Sequence, residues 1–335
     1  MKGIIEISDP KTGLSHFEPM HSFVGNFASK LLKVFLGVYG GWTVKNRNRD
    51  EWASDTFKVA CNSNATNNGI LVGSGDTAVS LSDYCLDTQL SITYGATMIS
   101  DVHTVSGLRC ITVFRTVTNN TEDPVTIKEI GLFCYSGNSS HPHLLARDVL
   151  SSPLTLDPDE GKVVKFHLGI TNNFTDNFLH FLRSRFLDDS VSLLDTSGTE
   201  RSKKFDSSSV LYAASGTKDR GLVIGVGKNA FSFSDYCVQT PTQANIDYLV
   251  VVQGTHSFSV PNGTAKIQAK RSFLNTSGTI KNVTELGLII YDTYKFLIAR
   301  YVFSEILFGD DQLANFFWNV QTSITPYEPP SPPGE

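Results

Sequence analysis

Two stretches of the chain place apolar residues at the spacing of an amphipathic helix. The first is formed by Phe23, Phe27, Leu31 and Phe35, with Leu32 and Leu36 beside them. The second is formed by Phe174, Phe178, Leu182 and Phe186, with Leu179 and Phe181 alongside. This spacing predicts two helices, and Ser22 is the predicted N-cap of the first. The apolar face of each helix either packs on the β unit that follows it or docks against a neighbouring subunit or a membrane surface.

Most of the remaining chain alternates apolar and polar residues with the period of two that is typical of half-buried strands. Residues 164–170 and 267–273 are clear examples, and Asn119-Asn120 and Pro261-Asn262-Gly263 supply turn signals between such runs. Many short strands, few helices and no regular alternation of strand and helix predict a mainly β chain. The predicted units are β-sandwiches of jelly-roll-like form, each preceded by an amphipathic helix.

An internal repeat is the strongest signal in the sequence. Residues 69–86 read GILVGSGDTAVSLSDYCL and residues 221–238 read GLVIGVGKNAFSFSDYCV, so the offset is 221 − 69 = 152 residues and nine of 18 positions are identical. The repeat motif is represented by Gly73, Gly75, Asp83, Tyr84, Gly225, Gly227, Asp235 and Tyr236. Because further blocks recur downstream in the same order, the chain is predicted to be a tandem duplication.

The repeat sets the predicted domain boundaries. We predict an N-terminal arm at 1–14, a helix and β-sandwich at 15–171, a second such unit at 172–325, and a tail at 326–335. Five of the last ten residues are proline, which predicts an extended, polyproline-like tail.

Two pairs of charged residues recur at equivalent positions inside apolar blocks. Glu129 and Glu285 lie in the blocks EIGL and ELGL, and Arg147 and Arg300 end the blocks LAR and IAR. Charged side chains are seldom fully buried unless they are paired. We therefore predict that Glu129 meets Arg147 and that Glu285 meets Arg300. The alternative is that each charge faces solvent independently.

The glycines of the repeat match a dinucleotide-binding fingerprint in letters only. Gly73-x-Gly75-x-x-Ala78 is not followed by a long helix, nor by an acidic residue about 20 positions further on. A tight turn at which two backbone segments cross closely explains the glycines better.

No other motif indicates catalysis or metal binding. His141-Pro142-His143 offers two imidazoles but has no counterpart in the second repeat, so a polar loop is favoured. The five cysteines contain no CxxC pair, which favours free buried thiols over a disulfide framework or a zinc site. We assign no catalytic, cofactor-binding or metal-binding residue, and we predict that the chain is not an enzyme and needs no cofactor.

Composition and charge argue against some classes of binding partner. A net charge of -5 and a pI near 5.9 lack the basic signature of a nucleic-acid binder. The most apolar stretch, residues 31–42, contains Lys33 and is too short to span a bilayer. The N-terminus lacks the apolar core of a signal peptide.

Three blocks carry a resemblance to a known group of proteins. Residues 73–86, 128–132 and 145–153 resemble a recurring β-domain of virion structural proteins from bacteriophages and uncultured viruses. The resemblance implies a capsid, tail or fibre component. The second copy departs from the pattern, because Asn229 replaces Thr77 and Ser304-Glu305-Ile306 replaces Ser151-Ser152-Pro153. Surface contacts carried by those loops are therefore in doubt for the second repeat.

These observations together predict a virion structural protein, assembled in the host cytoplasm. It would be a duplicated building block of a phage-like capsid or of its tail or connector, and would act by self-assembly with other copies and other virion proteins. The alternative is a host-attachment fibre or spike module that binds a surface glycan. A glycan hydrolase is a third candidate, and it would require two carboxylates facing each other across a cleft.

Overall fold

The chain is mainly β, with its strands in several separate sheets. The computed structural model describes residues 2–20, 23–24, 26–27, 30–31, 44–48, 51–52, 57–80, 82–135, 142–170, 173–205, 221–238, 249–259 and 265–322. Within these residues, no helix has both the length and the apolar character needed to cross a membrane. The predicted polyproline-like tail at 326–335 lies outside the described residues.

The first half of the chain contains only strands among its named elements. They are β1 (Lys2–Ser8), β2 (Ser15–Pro19), β3 (Val44–Lys45), β4 (Glu51–Trp52), β5 (Gly69–Gly73), β6 (Thr93–Tyr94), β7 (Met98–Ile99), β8 (His103–Val105), β9 (Leu108–Thr118), β10 (Val125–Cys134), β11 (His143–Leu156) and β12 (Gly161–Ile170).

The second half begins with the one helix that is described along its whole length. Its elements are α1 (Asp176–Leu187), β13 (Val191–Leu194), β14 (Glu200–Lys203), β15 (Gly221–Gly225), β16 (Leu249–Ser259), β17 (Ala265–Asn275), β18 (Lys281–Asp292), β19 (Tyr294–Phe308) and β20 (Leu313–Thr322).

The same strand order occurs in both halves. We call β1 and β2 together with residues 57–170 (β5–β12) unit 1, and residues 221–322 (β15–β20) unit 2. Unit 1 has a sheet of order β11-β10-β5, and unit 2 has the equivalent sheet β19-β18-β15. A second sheet pairs β9 with β12 in unit 1 and β17 with β20 in unit 2. The register also matches, because Gly131 lies opposite Arg147 and Gly287 lies opposite Arg300.

Unit 1 carries two strands that have no equivalent among the described residues of unit 2. Strand β1 pairs with β12 from Lys2 to Ser8, and β2 pairs with β1. Ile4, Ile5 and Ile7 of β1 are buried. The segment 1–14 that the sequence suggested to be an arm therefore contains a strand of the sheet, and the predicted boundary at 14/15 falls inside a hairpin.

The helix α1 is buried within the chain on most of its surface. Phe178, Phe181 and Phe186 are fully buried, and Phe186 meets Phe57 of unit 1 edge-to-face at 5.1 Å. The helix also contacts β13 and β19. The second predicted helix therefore packs within the chain. This packing leaves little apolar surface of α1 for contact with a membrane or a second subunit.

In both repeats the first phenylalanine of the predicted helix is in an extended, strand-like segment instead. Phe23 and Phe174 form isolated β-bridges, with Ala146 and Ala299 respectively. Thr175 is the N-cap of α1, and its extended backbone ends this strand-like segment. In the first repeat, residues 26–27 and 30–31 are helical, whereas the proposed cap Ser22 lies outside the described residues.

Candidate functional site

The two recurring charge pairs are brought together in both units. Arg147 Nε donates to Glu129 Oε2 at 2.8 Å, and Arg300 Nε donates to Glu285 Oε2 at 2.6 Å. All four side chains are at most 1% exposed. Each arginine reaches its glutamate from the neighbouring antiparallel strand, so the pair links β10 with β11 in unit 1 and β18 with β19 in unit 2.

The arginine of unit 1 also binds the loop that carries the repeat motif. Arg147 Nη1 donates to Asp83 Oδ2 at 2.9 Å, and Nη2 donates to Asp87 Oδ2 at 2.8 Å. Thr77 Oγ1 accepts a further bond from Nη2 at 3.3 Å and itself donates to Asp87. A planar guanidinium can satisfy several acceptors at fixed angles, so Arg147 fixes the path of residues 77–87 over the sheet.

The buried glutamate of unit 1 accepts hydrogen bonds from the same loop. Glu129 Oε1 accepts from the backbone amides of Gly75 at 3.1 Å and Thr88 at 3.0 Å, and Oε2 accepts from that of Asp87 at 3.2 Å. Backbone amides and an arginine together replace the water that the carboxylate loses on burial.

The glycines of the repeat make room for this carboxylate. A Cβ atom on Gly73 would lie 2.4 Å from Glu129 Oε1, and one on Gly75 would lie 2.6 Å from the same oxygen. Gly225 stands in the same relation to Glu285 Oε1, also at 2.4 Å. The predicted close approach is therefore between backbone and a buried side chain, which accounts for the spacing that mimics a dinucleotide fingerprint.

Unit 2 builds the same cluster with fewer acidic side chains. Arg300 Nη1 donates to Asp235 Oδ2 at 2.9 Å, as Arg147 does to Asp83. Where unit 1 uses Thr77, unit 2 has Asn229, and its backbone carbonyl accepts from Arg300 Nη2 at 3.1 Å. In both units the aspartate also caps its own turn, accepting from the amides of Ser80 and Ser232.

Electrostatics favour the charged form of both arginines. Burial lowers the pKa of Arg147 and of Arg300, but hydrogen bonds from each to its glutamate and aspartate outweigh this effect and raise the pKa. The carboxylates of these clusters accept hydrogen bonds from arginine and backbone amides. Such an arrangement holds loops in place and offers no unengaged base among the described groups of the clusters.

The two tyrosines of the motif differ in exposure. Tyr236 is 39% exposed and lines a pocket of about 300 Å³, together with Asn177, His180 and Glu200. Asp176 and Asp235 also line it, but they pair with Arg109 and Arg300. Tyr84 is half-buried at the equivalent position of unit 1.

A second recurring arginine was not among the predicted site residues. Arg115 is fully buried on the core side of β9 and donates to the carbonyls of Ala65, Asn68, Ile70 and Gly95 at 2.6 to 3.0 Å. Its counterpart Arg271 is 3% exposed and donates to the carbonyl of Leu222, the residue equivalent to Ile70. Burial lowers the pKa of Arg115. The sequence does contain a signal for this buried residue. In both copies an arginine occupies one of the alternating positions of the strand that are otherwise apolar.

The cysteines are free, as expected, but differ in burial. Cys110 and Cys134 are buried, whereas Cys61, Cys85 and Cys237 are only partly buried. Burial raises the pKa of the thiols of Cys85 and Cys237, so neither has the character of an activated nucleophile. Of the two histidines in the His-Pro-His motif, His143 is buried at the start of β11, and His141 lies outside the described residues.

Comparison of the chain with protein families, with curated proteins and with solved structures finds no match.

Proposed function

We propose that this chain is a structural building block of a virus particle that acts by assembling with further copies of itself. In this proposal the two units are tandem β-sandwiches of a capsid, tail or connector protein. The duplicated ion-pair clusters support it, because what the duplication repeats is a set of buried contacts that fix loops. The resemblance of three sequence blocks to virion β-domains supplies the viral context.

The observation that carries the proposal is an open sheet edge in unit 2. Strand β20 has β17 as its one partner within the described chain, whereas the equivalent strand β12 also pairs with β1. Two large apolar side chains of β20 are exposed, Leu313 at 51% and Phe317 at 46%. An exposed edge with apolar side chains is a template for pairing with another chain.

The long strand β19 adds a second exposed edge to unit 2. Leu307, near its end, is 64% exposed, and Ile306 beside it is also exposed. In unit 1 the hairpin contacts the matching part of β11, where Glu18 of β2 accepts hydrogen bonds from the amide and hydroxyl of Ser151 at 3.0 and 2.9 Å. Unit 2 thus exposes the side on which unit 1 carries β1 and β2.

A second copy of the chain is the partner that these edges suit. Strand addition supplies main-chain hydrogen bonds, and the exposed leucines and phenylalanine supply apolar contact. A stable interface of this kind buries about 1,200–2,000 Å² in total. Pairing of unlike edges, β20 of one copy with β19 of the next, would be head-to-tail and would generate a ring or an extended lattice.

The test is sedimentation velocity of the full chain over a range of concentrations. The wild-type chain should form discrete larger species, and the variant Leu313→Lys/Phe317→Lys should shift them towards monomer. Leu14→Lys is the matched control, because Leu14 is 74% exposed at the tip of the hairpin in unit 1. Equal behaviour of the wild-type chain and the edge variant would refute the role of the β20 edge.

A second candidate function is glycan binding at the pocket beside Tyr236. An exposed aromatic ring next to the polar groups of Asn177, His180 and Glu200 is suited to a sugar ring, which presents both apolar and hydroxyl faces. Screening the chain against immobilised glycans, with Tyr236→Ala for comparison, tests this candidate. Binding that is lost in Tyr236→Ala supports it, and an absence of binding to any glycan argues against it.

A further inference from the structure

Three potential metal ligands converge on one face of the sheet in unit 1. His103 in β8 lies opposite Cys110 in β9, and Thr112, two residues along β9, lies opposite His167 in β12. One ligand atom from each of His103, Cys110 and His167 lies within 4.8 Å of the other two. Cys110 and His167 are buried, and His103 is partly exposed, so the cluster has a route to solvent.

The outer nitrogen of each imidazole is occupied as a hydrogen-bond donor. His103 Nδ1 lies 2.8 Å from the carbonyl oxygen of Asp101, which can only accept. His167 Nε2 lies 3.0 Å from Glu6 Oε2, and Glu6 is held in turn by Lys165 at 2.7 Å. Histidines that bind metals usually donate their second N–H to a carboxylate or a carbonyl in this way. The inner nitrogens of both rings therefore present lone pairs.

These lone pairs point into the cluster. The Thr112 hydroxyl lies 2.9 Å from His103 Nε2 and 2.7 Å from His167 Nδ1, but it carries a single proton for two acceptors. The Cys110 sulfur lies 3.9 Å from His103 Nε2 and is a weak donor. Two imidazole lone pairs, a thiol and a hydroxyl oxygen thus face one another in a largely buried space.

We propose that His103 Nε2, Cys110 Sγ and His167 Nδ1 bind a zinc ion, with the Thr112 hydroxyl or a water molecule as the fourth ligand. Two imidazoles and one thiolate are a ligand set typical of Zn²⁺, which favours four-coordinate tetrahedral geometry. Binding forms one Zn–S and two Zn–N bonds. The thiol proton leaves to solvent, and no atom changes oxidation state.

The site belongs to unit 1 alone. Through the matched register, the positions equivalent to His103, Cys110 and His167 in unit 2 are Ser259, Lys266 and Asn319. The β1 strand, which supplies Glu6 behind His167, has no described equivalent in unit 2 either. The three proposed ligands and the carboxylate of Glu6 that supports one of them therefore all occur in unit 1 and are replaced or without a described equivalent in unit 2.

The ion would cross-link three strands of the sheet. Its ligands come from three strands, β8, β9 and β12, and the hydrogen bond from His167 to Glu6 extends the link to β1. A structural role predicts that zinc raises the melting temperature of the chain. Zinc binding at this site would not require the chain to assemble with other copies.

The test is titration of the purified full chain with Co²⁺, used as a spectroscopic substitute for zinc. We expect one equivalent to bind, with visible bands of tetrahedral cobalt and a thiolate-to-cobalt charge-transfer band in the near ultraviolet. Both should disappear on addition of one equivalent of Zn²⁺. Octahedral spectra without the charge-transfer band would overturn the proposal.

Variants then assign the ligands. Cys110→Ala should abolish the charge-transfer band, while Cys237→Ser, which alters a partly buried thiol in unit 2, should keep it. Glu6→Gln should weaken binding by about 10–100-fold, the usual effect of losing a group that supports a ligand. Should Cys110→Ala fail to fold, as judged by circular dichroism, His103→Gln replaces it, since His103 is partly exposed. A charge-transfer band that survives in folded Cys110→Ala would place the metal elsewhere. His103→Gln keeps the thiolate, so its readout is cobalt affinity, and an affinity equal to that of the wild-type chain would overturn the proposal.

Discussion

Arg147 Nε lies 2.8 Å from Glu129 Oε2, and the two side chains are 1% and 0% exposed. The pair joins adjacent strands and also holds the loop of the repeat motif through Asp83 and Asp87. Its copy, Arg300 with Glu285, has the same geometry in unit 2. A buried pair adds little net stability compared with an apolar pair, but a charge left without its partner is costly.

Removal of either buried arginine should strongly destabilise its unit. We expect Arg147→Met to lower the free energy of unfolding by about 3–5 kcal/mol, because Glu129 would remain buried without its cation. Arg300→Met should have a similar effect in unit 2. Urea unfolding followed by circular dichroism measures both. The control is Lys128→Ala, which breaks an exposed pair with Asp76 and should cost at most about 1 kcal/mol. Equal losses in variant and control would contradict the assignment.

Addition of a methyl group at the motif glycines should also be costly. Gly73→Ala would place its Cβ 2.4 Å from Glu129 Oε1 and 2.6 Å from the carbonyl oxygen of Thr88. We expect a loss of about 1–3 kcal/mol, typical of overpacking. Gly309→Ala is the control, because its Cβ would meet nothing closer than 3.4 Å. Thermal unfolding of the two variants should separate them, and similar melting temperatures would show that the close approach is unimportant.

Substitution of Arg115 by lysine should show how much the hydrogen bonds of its guanidinium contribute to the free energy of unfolding. Arg115 satisfies four backbone carbonyls, and an ammonium group cannot reach all of them. Since an unsatisfied buried acceptor costs about 1–3 kcal/mol, Arg115→Lys should lose at least about 2 kcal/mol. Arg183→Lys, at a residue bound to the single carbonyl of Ser100 and partly exposed, should lose less than about 1 kcal/mol. Chemical denaturation measures both losses, and equal losses in the two variants would contradict the prediction.

Acid should weaken the turn between β13 and β14. Burial raises the pKa of Asp195, but hydrogen bonds from Ser197, Arg201 and Thr199 outweigh this and hold its pKa at about 2, below the ordinary value of 3.8. Because the folded-state pKa is depressed, its contribution to stability is present above pH 3.8 and is lost as the pH falls towards 2. Asp195→Asn should therefore lose less stability than the wild-type chain between pH 5 and about pH 2. Identical pH profiles of unfolding would count against the assignment.

The sequence alone predicts the elements that recur. The repeat of residues 69–86 at 221–238 anticipates two units, and the observed strand orders are equivalent in them. Glu129 and Arg147 are accessible to sequence reasoning because a charge that persists in two diverged copies, amid changing apolar neighbours, points to a shared constraint. The alternation in residues 164–170 and 267–273 likewise corresponds to β12 and β17.

Features that occur once are harder to predict. Strand β1 pairs with β12, more than 150 residues away in the chain, and nothing local to Lys2–Ser8 specifies that partner. The convergence of His103, Cys110 and His167 depends on the register of three strands, and no short motif encodes it. Arg115 lies on the apolar side of its strand, but the segments that hold its carbonyl partners are brought together only by the fold.

Electron cryomicroscopy of the assembled chain would show directly whether copies pair through the edge of β20. We first expect discrete assemblies whose mass is a multiple of 36.8 kDa. In their reconstruction the edge of β20, with Leu313 and Phe317, should be covered by a neighbouring copy. A chain that stays monomeric at high concentration would contradict the proposed self-assembly. An assembly in which the β20 edge remains open to solvent would contradict the proposed role of that edge.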